Sequence, residues 1–339
     1  MNKNFNLNKF MFFIIIIMST LYSISSNSWI NIWMSMEINL MSFIPLMLMI
    51  NNLLSTKSMI TYFMIQAIAS MNFLFIILIK TIQFKWFNYF NQSIPLIIMN
   101  LCLLTKMGMV PLYQWFPITM KNLNWLNCFI LSTWQKIIPM VTLSYCMMYP
   151  IILMSIIFSS IISSIMNFNQ NNLKILMSLS SINHMSWMLS TMLINMNLWL
   201  FYLTLYAILN YIIMMSFNNS NIFSLMQIYM MKIPPLNKMM IMINLFSLGG
   251  LPPFLGFLPK LLTINLLLIN NNYLIIIILL TTSLINIFIY LRITFSSFMI
   301  INYEMKLSTN YNYMNNIVYL FSLINSFWLI IITVMYLLN

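Results

Sequence analysis

Long apolar runs separated by short polar clusters extend along nearly the whole chain. A helix needs about 20 apolar residues to cross roughly 30 Å of hydrocarbon, and runs of about that length end here at clusters of Asn, Lys, Pro or Ser. The pattern therefore predicts an all-α fold, a polytopic transmembrane helical bundle. Eleven spans are predicted, at residues 10–26, 29–50, 59–79, 94–118, 125–146, 149–167, 174–194, 198–217, 239–268, 273–292 and 316–337.

Two of these spans, 94–118 and 239–268, are interrupted by glycine and proline. Proline removes a backbone donor and clashes with the preceding turn, and glycine lets the chain leave the helix. Each span is therefore predicted to be two half-helices joined by irregular backbone, which persists at membrane depth only when buried in protein or lining a wet cavity. The helix-breaking residues are Gly108, Pro111 and Pro117 in the first span and Gly249, Gly250, Pro252, Pro253 and Pro259 in the second.

The two breaks resemble each other in sequence. Gly108-x-x-Pro111 recurs as Gly249-x-x-Pro252, at an offset of 141 residues for both members (249 − 108 and 252 − 111). Because the breaks fall on the fourth and ninth predicted spans, the second copy crosses the membrane in the opposite direction, as in the inverted repeats of transporters. The sequence thus predicts one transmembrane domain, 1–339, with inverted half-repeats at about 10–146 and 149–292 and a final span at 316–337.

The charged residues indicate orientation in a membrane. The chain is 62% hydrophobic and 5% charged, with a mean hydropathy of +0.93, which excludes a water-soluble surface. Its net charge of +12 comes from cations scattered singly, so no basic face exists for nucleic acid. Lys and Arg in short loops stay on the untranslocated side, and nine of eleven loop cations fall on the N-terminal side. The cations on the N-terminal side are Lys3, Lys9, Lys57, Lys121, Lys174, Lys232, Lys238, Arg292 and Lys306, and those on the opposite side are Lys80 and Lys85.

The composition also suggests where the gene resides. The chain has 37 Met but three Ala and one Arg, which is typical of a GC-poor gene read by a code with more than one Met codon. We interpret this as a mitochondrial genome. The untranslocated side, to which the cation distribution assigns the N-terminus, would then be the matrix. A nuclear reading frame that uses only ATG for Met would contradict this hypothesis.

The sequence contains no pattern for redox or hydrolytic chemistry. Cys102, Cys128 and Cys146 lie in apolar runs without CxxC spacing, and we interpret them as small core hydrophobes. The sequence has no GxGxxG, nucleophile elbow or HExxH, and no His or Cys set for haem or iron–sulfur clusters. We therefore expect no bound cofactor, no metal site and no soluble small-molecule substrate.

Ionisable residues inside predicted spans are the candidates for function, because each is costly unless hydrated or paired. Glu37 lies in the second span, Lys106 at the first break, Lys136 in the fifth span and Lys260 just after the second break. Burial favours the neutral form of a lysine and a nearby carboxylate favours the charged form, so moving Glu37 would switch Lys106 between the two. Such switching, with water held at the broken helices, is what a proton relay requires.

Each of these residues also has a simpler interpretation. Lysines near span ends often extend to the headgroups, which applies most to Lys260 and less to Lys136 and Lys106. Glu37 has too short a side chain to do so. His184, the only histidine, is either a helix-packing residue or a relay member bonded through nearby Ser and Asn side chains.

Two further groups are predicted to be peripheral. Lys174, at the start of the seventh span, is interpreted as an interfacial anchor. Glu304 and Lys306, in the polar loop before the last span, are interpreted as a solvated surface pair.

Residues 106–117, Lys-Met-Gly-Met-Val-Pro-Leu-Tyr-Gln-Trp-Phe-Pro, resemble a pattern of one family. It is the subunit 2 family of the mitochondrial NADH:ubiquinone oxidoreductase (complex I), whose members are antiporter-like membrane subunits. Segments similar to that family occur at 33–40, 124–136, 169–187 and 248–260, in the correct order, whereas the final 79 residues (339 − 260) resemble it only in hydropathy.

The resemblance implies a subunit of an H⁺-translocating oxidoreductase that carries one proton channel of the membrane arm. Glu37 and Lys106 would form an ion pair, Lys136 would be the central relay lysine, and Lys260 would lie on the exit side. One departure is visible, because the family often has an acid shortly after Trp-Phe-Pro, whereas Ile118-Thr-Met-Lys121 offers none.

The resemblance also implies a location and partners. The chain would be a multi-pass protein of the mitochondrial inner membrane, in contact with lipid and with other membrane-arm subunits. NADH, FMN, iron–sulfur clusters and ubiquinone would belong to the wider complex and not to this chain.

Two other functions remain open from the sequence. A stand-alone cation/proton antiporter could use the same residues, although one intramembrane Glu is thin provision for Na⁺. A purely structural membrane subunit would use its lysines only for packing or anchoring.

Overall fold

The computed structural model describes residues 3–48, 53–81, 93–230 and 235–301, together with Ser322 and Asn325. Within these ranges the regular structure is helical, except for an isolated antiparallel bridge between Asn172 and Ser224. The predicted all-α class is confirmed. The predicted final span, 316–337, lies outside the described residues apart from Ser322 and Asn325. Five predicted charged side chains also lie outside them, those of Lys3, Lys85, Lys232, Glu304 and Lys306.

The chain divides into two compact units, Met1–Ser155 and Ile156–Asn339. The helices of the first unit are α1 (Lys3–Ser25), α2 (Trp29–Met47), α3 (Leu53–Thr81), α4 (Ser93–Met107), α5 (Trp115–Asn122), α6 (Trp125–Ser132) and α7 (Ile137–Tyr145). Helix α8 (Tyr149–Asn167) begins in the first unit and ends in the second. The second unit continues with α9 (Leu173–Met192), α10 (Met196–Asn219), α11 (Leu225–Met230), α12 (Pro235–Gly249), α13 (Phe257–Ile269) and α14 (Tyr273–Ile301).

The first ten predicted spans coincide with these helices or helix pairs. Four stretches among the described residues are long and apolar enough, by length and composition alone, to cross a membrane. They are Leu53–Lys80, Tyr149–Asn167, Met196–Asn219 and Tyr273–Ser297. The total of eleven spans stays a prediction.

At both predicted breaks, the helix before the break ends in the same backbone motif. Gly108 follows α4 with φ +75°, and Gly250 follows α12 with φ +79°, a left-handed conformation that glycine adopts without strain. After α4, the amides of Gly108 and Met109 donate to the carbonyls of Thr105 and Leu104, at 3.1 and 3.0 Å. This pattern is a Schellman motif, which satisfies carbonyls that a helix end would leave without donors.

The second break repeats this pattern. The amides of Gly250 and Leu251 donate to the carbonyls of Ser247 and Phe246, at 3.0 and 3.4 Å. The structural equivalents are therefore Gly108 and Gly250, 142 residues apart (250 − 108), one more than the offset of the Gly-x-x-Pro sequence match. The linkers 108–114 and 250–256 have the same length and keep the 142-residue offset throughout.

The prolines of the two breaks have different roles. Pro111 lies in the linker that follows α4, and Pro252 and Pro253 lie in the linker that follows α12. Pro117 and Pro259 are each the third residue of the next helix, α5 and α13. Amides of a first helical turn have no carbonyl partner within the helix, so these two prolines begin the second half-helices without cost.

The predicted span 125–146 is helical but is not one continuous α-helix. It consists of α6, a 3₁₀ turn at Trp134–Lys136, and α7. Pro139 explains the interruption, because it has no amide to donate to the carbonyl of Gln135 and its ring excludes that carbonyl. The structure therefore places Lys136 at a third helix break.

Two of the predicted loop cations are buried inside helices. Lys57, Lys80, Lys121 and Arg292 are exposed, as expected for loop or end positions. Lys174 and Lys238, however, are 8% and 2% exposed, because they fall in the first turns of α9 and α12 and not in the loops before them. The interpretation of Lys174 as an interfacial anchor is therefore wrong, and its ammonium lies 4.7 Å from the ring centroid of Phe223.

Candidate functional site

Lys106 and Lys136 line one cavity within the first unit. Its volume is about 30 Å³, and a water molecule needs about 10–15 Å³, so the space is large enough for about two waters. The wall is mixed, with apolar side chains interrupted by amides and a phenol. The polar residues that line it are Asn39, Tyr62, Gln66, Lys106, Gln135 and Lys136.

Lys106 reaches this cavity from the last turn of α4, directly before the first break. Its side chain is buried, and Nζ lies 3.7 Å from Sδ of Met36. A cation at a helix C-terminus interacts favourably with the partial negative charge of the terminal carbonyls. The break therefore gives a buried lysine an electrostatic environment that an unbroken helix would lack.

The carbonyls freed at this break are bonded by side chains. The indole Nε1 of Trp115 donates to the carbonyl of Thr105 at 3.0 Å, and Nε2 of Gln66 donates to the carbonyl of Lys106 at 3.2 Å. Trp115 begins α5 and Gln66 lies on α3, so the end of α4 is held by two neighbouring helices. These bonds fix the backbone that carries Lys106.

We expect Trp115→Phe to weaken this end of α4 by about 1–2 kcal/mol, because one bond to a buried carbonyl is lost while the ring is kept. The measurement is the temperature at which the assembled protein loses its structure, which should fall by a few degrees. Trp29→Phe is the control, since that indole begins α2 away from the break. An equal fall in both variants would show that the Thr105 contact contributes nothing.

Lys136 is the last residue of the 3₁₀ turn, and its ammonium faces an aromatic ring. Nζ lies 4.4 Å from the ring centroid of Phe116, a distance at which a cation and a ring attract. Phe116 follows the first break, and a Cβ at Gly108 would lie only 2.9 Å from Cβ of Phe116. The first break therefore brings Phe116 against Lys136, and glycine is required for that approach.

A hydrogen-bonded pair of amides forms another part of the cavity wall. Nε2 of Gln135 donates to Oδ1 of Asn39 at 3.0 Å, and the hydroxyl of Tyr62 donates to Oε1 of Gln135 at 3.5 Å. These residues come from the 3₁₀ turn, α2 and α3. The sequence carries a signal for Asn39 and Gln135, because an amide inside an apolar span is costly to bury, as a lysine is. Only the charged residues and His184 were predicted from it.

Glu37 is not paired with Lys106 in this structure. Its side chain is half-buried, and Oε1 has no hydrogen-bond partner among the described residues. Successive residues of a helix point about 100° apart, and α2 directs Met36 and not Glu37 at the Lys106 ammonium. The predicted ion pair is therefore not formed in this structure.

In the second unit, Lys260 contacts the freed end of α12. Its Nζ donates to the carbonyl of Gly249 at 2.6 Å and lies 5.9 Å from the ring centroid of Trp187. The side chain is buried, which excludes the interpretation that it extends to the headgroups. Lys260 thus completes the second break as a hydrogen-bond donor.

His184 lies on α9, whose residues are all buried except the half-buried Ile175. Its Nδ1 is 3.0 Å from the hydroxyl of Tyr202, and its ring centroid is 5.1 Å from that of Tyr206. Trp187, three residues later on the same helix, contacts Lys260. The structure therefore gathers the sequence-predicted residues in two groups, one in each unit.

Among the described residues, no group of three or more His, Cys, Asp or Glu side chains is placed to hold a metal ion. The two groups of residues instead consist of buried cations, amides, phenols and one imidazole, next to interrupted helices. Such an arrangement is typical of membrane proteins that conduct ions or protons.

The profile of the family described as "NADH:quinone oxidoreductase/Mrp antiporter, TM" matches residues 26–286. The chain belongs to this transmembrane family. It is similar to the NADH-ubiquinone oxidoreductase chain 2 of Anopheles gambiae, with 41% identity over 96% of this chain and 97% of that one. The protein of the same name from Locusta migratoria is 39% identical over 88% of each chain.

Solved structures with a similar fold come from larger membrane assemblies. A chain of respiratory complex I from Thermus thermophilus matches with a TM-score of 0.77 and 16% identity, over 93% of this chain and 75% of that one. A chain of the Mrp complex from Dietzia sp. matches with a TM-score of 0.73 and 13% identity, over 88% and 61% of the two chains. At these identities the likeness shows the fold alone.

Proposed function

We propose that the chain is the second membrane subunit of an NADH:ubiquinone oxidoreductase and that it carries one of that complex's proton-translocation paths. The observation that carries the proposal is the water-sized polar cavity shared by Lys106 and Lys136 beside two helix breaks. The names of the 39–41% identical relatives support the assignment to that complex.

The geometry supports a relay between the two lysines. Both lysines line the same cavity, so water held there can pass a proton from one ammonium to the other. Lys260 and His184 would transfer protons by the same chemistry within the second unit.

Several finer points belong to the same proposal. The chain would lie in the mitochondrial inner membrane with its N-terminus in the matrix, and it would contact neighbouring membrane subunits and lipid. Its halves would be inverted repeats, which the two matching Schellman motifs with seven-residue linkers support. The redox cofactors would be held by other subunits.

The test uses the assembled complex with Lys106→Met or Glu37→Gln. We expect the rate of coupled turnover, NADH oxidation together with its proton flux, to fall by about tenfold with Lys106→Met, since about 1.4 kcal/mol on the barrier has that effect. Glu37→Gln should cause a smaller fall, because its carboxylate makes no contact with the Lys106 ammonium. The measurement is the initial rate of NADH oxidation and of proton flux into sealed vesicles.

Lys57→Met is the matched control, because Lys57 is exposed in the first turn of α3. Its proton flux should equal that of the unaltered complex. If flux and stoichiometry remain unchanged with Lys106→Met, the subunit is structural and the proposed path is wrong.

A stand-alone cation/proton antiporter is the second candidate, favoured by the description of the matching family, which names the Mrp antiporter. The purified chain in liposomes separates the two functions. Proton flux that depends on Na⁺ or K⁺, without any partner subunit, would favour the antiporter.

A further inference from the structure

Two buried tyrosine hydroxyls in the second unit lie close to small polar side chains without meeting the geometry of a direct hydrogen bond. Tyr206 on α10 is 3% exposed and Tyr290 on α14 is 1% exposed. A buried hydroxyl without a partner costs about 1–3 kcal/mol, whereas phenylalanine would fill the same space without that cost. Packing alone therefore does not account for tyrosine at either position.

The two rings connect His184 with Lys260 through contacts within the second unit. The ring of Tyr206 lies 5.1 Å from that of His184, and the hydroxyls of Tyr206 and Tyr290 lie beside Ser181 and Ser180, which are adjacent on α9. The Tyr290 ring packs on Gly249, where a Cβ would lie 3.3 Å from Cδ2 of the ring. The carbonyl of Gly249 accepts the hydrogen bond of Lys260. Successive contacts thus connect the imidazole, through the two phenols, to the carbonyl that binds the ammonium.

Small polar side chains surround both hydroxyls. The Tyr206 hydroxyl lies beside Ser181 and Asn210, and the Tyr290 hydroxyl lies beside Ser180. Nδ2 of Asn210 is itself buried without a partner among the described residues. A water bridging such groups needs two to four polar partners, and this set supplies them.

We propose that Tyr206 and Tyr290 are proton-relay residues that join His184 to Lys260 through bridging waters. Each phenol accepts a proton at its oxygen from the preceding group and gives its own proton to the next. No net charge remains on the ring, and one proton enters for each that leaves. This inference rests on the proposed function, because it assigns residues of the second unit to the same proton translocation.

The experiment compares Tyr206→Phe, Tyr290→Phe and the double variant in the assembled complex. We expect each single variant to slow coupled turnover, NADH oxidation together with its proton flux, by about tenfold, as loss of one bond worth about 1.4 kcal/mol would do. The solvent deuterium isotope effect on flux should increase, because proton transfer through the remaining waters becomes rate-limiting. A purely structural role would leave that isotope effect unchanged.

Tyr273→Phe is the matched control, because its hydroxyl lies at the exposed start of α14 and bonds Asn271. Asn210→Leu is a second variant that removes the polar support beside Tyr206 and should lower flux in the same direction. Wild-type flux and isotope effect in the double variant, in a complex where Lys106→Met does lower flux, would overturn the relay and leave the proposed function intact. Wild-type flux with Lys106→Met would instead count against the proposed function itself.

Discussion

Replacing Lys136 by methionine is expected to slow proton-coupled NADH oxidation by about 100-fold, the lower end of what a positioned acid–base group contributes. Lys136 is 3% exposed, lines the cavity with Lys106, and faces the ring of Phe116. Methionine keeps the volume and the ring contact but holds no proton. The measurement is the initial rate of NADH oxidation and of proton flux into sealed vesicles.

Lys136→Arg distinguishes a lysine that serves only as a fixed charge from one that transfers protons. Arginine keeps a cation over the ring but does not release a proton at neutral pH, so it should be nearly as inactive as methionine. If Lys136→Arg pumps normally, the ammonium serves only as a charge, and the relay between the two lysines is wrong.

Gly256→Ala is expected to prevent assembly of the complex. Gly256 precedes α13, and a Cβ there would collide with the backbone carbonyl oxygen of Ser247 on α12. Overpacking a core with side-chain atoms costs about 1–3 kcal/mol, and a backbone collision exceeds this because neither partner can rotate away. The measurement is the amount of intact complex recovered from membranes.

Gly249→Ala is the graded control for this variant. Its Cβ would lie 3.3 Å from side-chain atoms of Ile287 and Tyr290, which can shift, so the loss of complex should be smaller. Equal recovery of the Gly256→Ala complex and the unaltered complex would contradict the tight approach of α13 to α12.

The helices and two breaks could be predicted because lipid leaves the backbone few choices. A chain in hydrocarbon must satisfy its own amides, so long apolar runs become helices and Gly/Pro clusters become interruptions. The sequence match placed the repeat at Gly249, whereas the left-handed residue is Gly250. A Gly-x-x-Pro pattern locates a break but does not say which of two adjacent glycines leaves the helix.

The site was less predictable, because it depends on rotation about each helix axis. Lys106, Lys136 and Lys260 are all buried as expected, but the partner of Lys106 is Met36, one residue and about 100° away from Glu37. The third break at Pro139 had a readable signal, a proline within a predicted helix, which the hydropathy of the run concealed. The burial of Lys174 and Lys238 had no signal in their local sequence.

Helix α9 shows how this chain packs helices closely with only three alanines. The hydroxyls of Ser178, Ser181, Ser186 and Ser190 each donate to the carbonyl three residues earlier on their own helix. A hydroxyl satisfied in this way presents little more than alanine-sized bulk to its neighbours. Serine and alanine should therefore exchange freely at these positions among related chains, following the nucleotide bias of each genome, while leucine-sized replacements are eliminated.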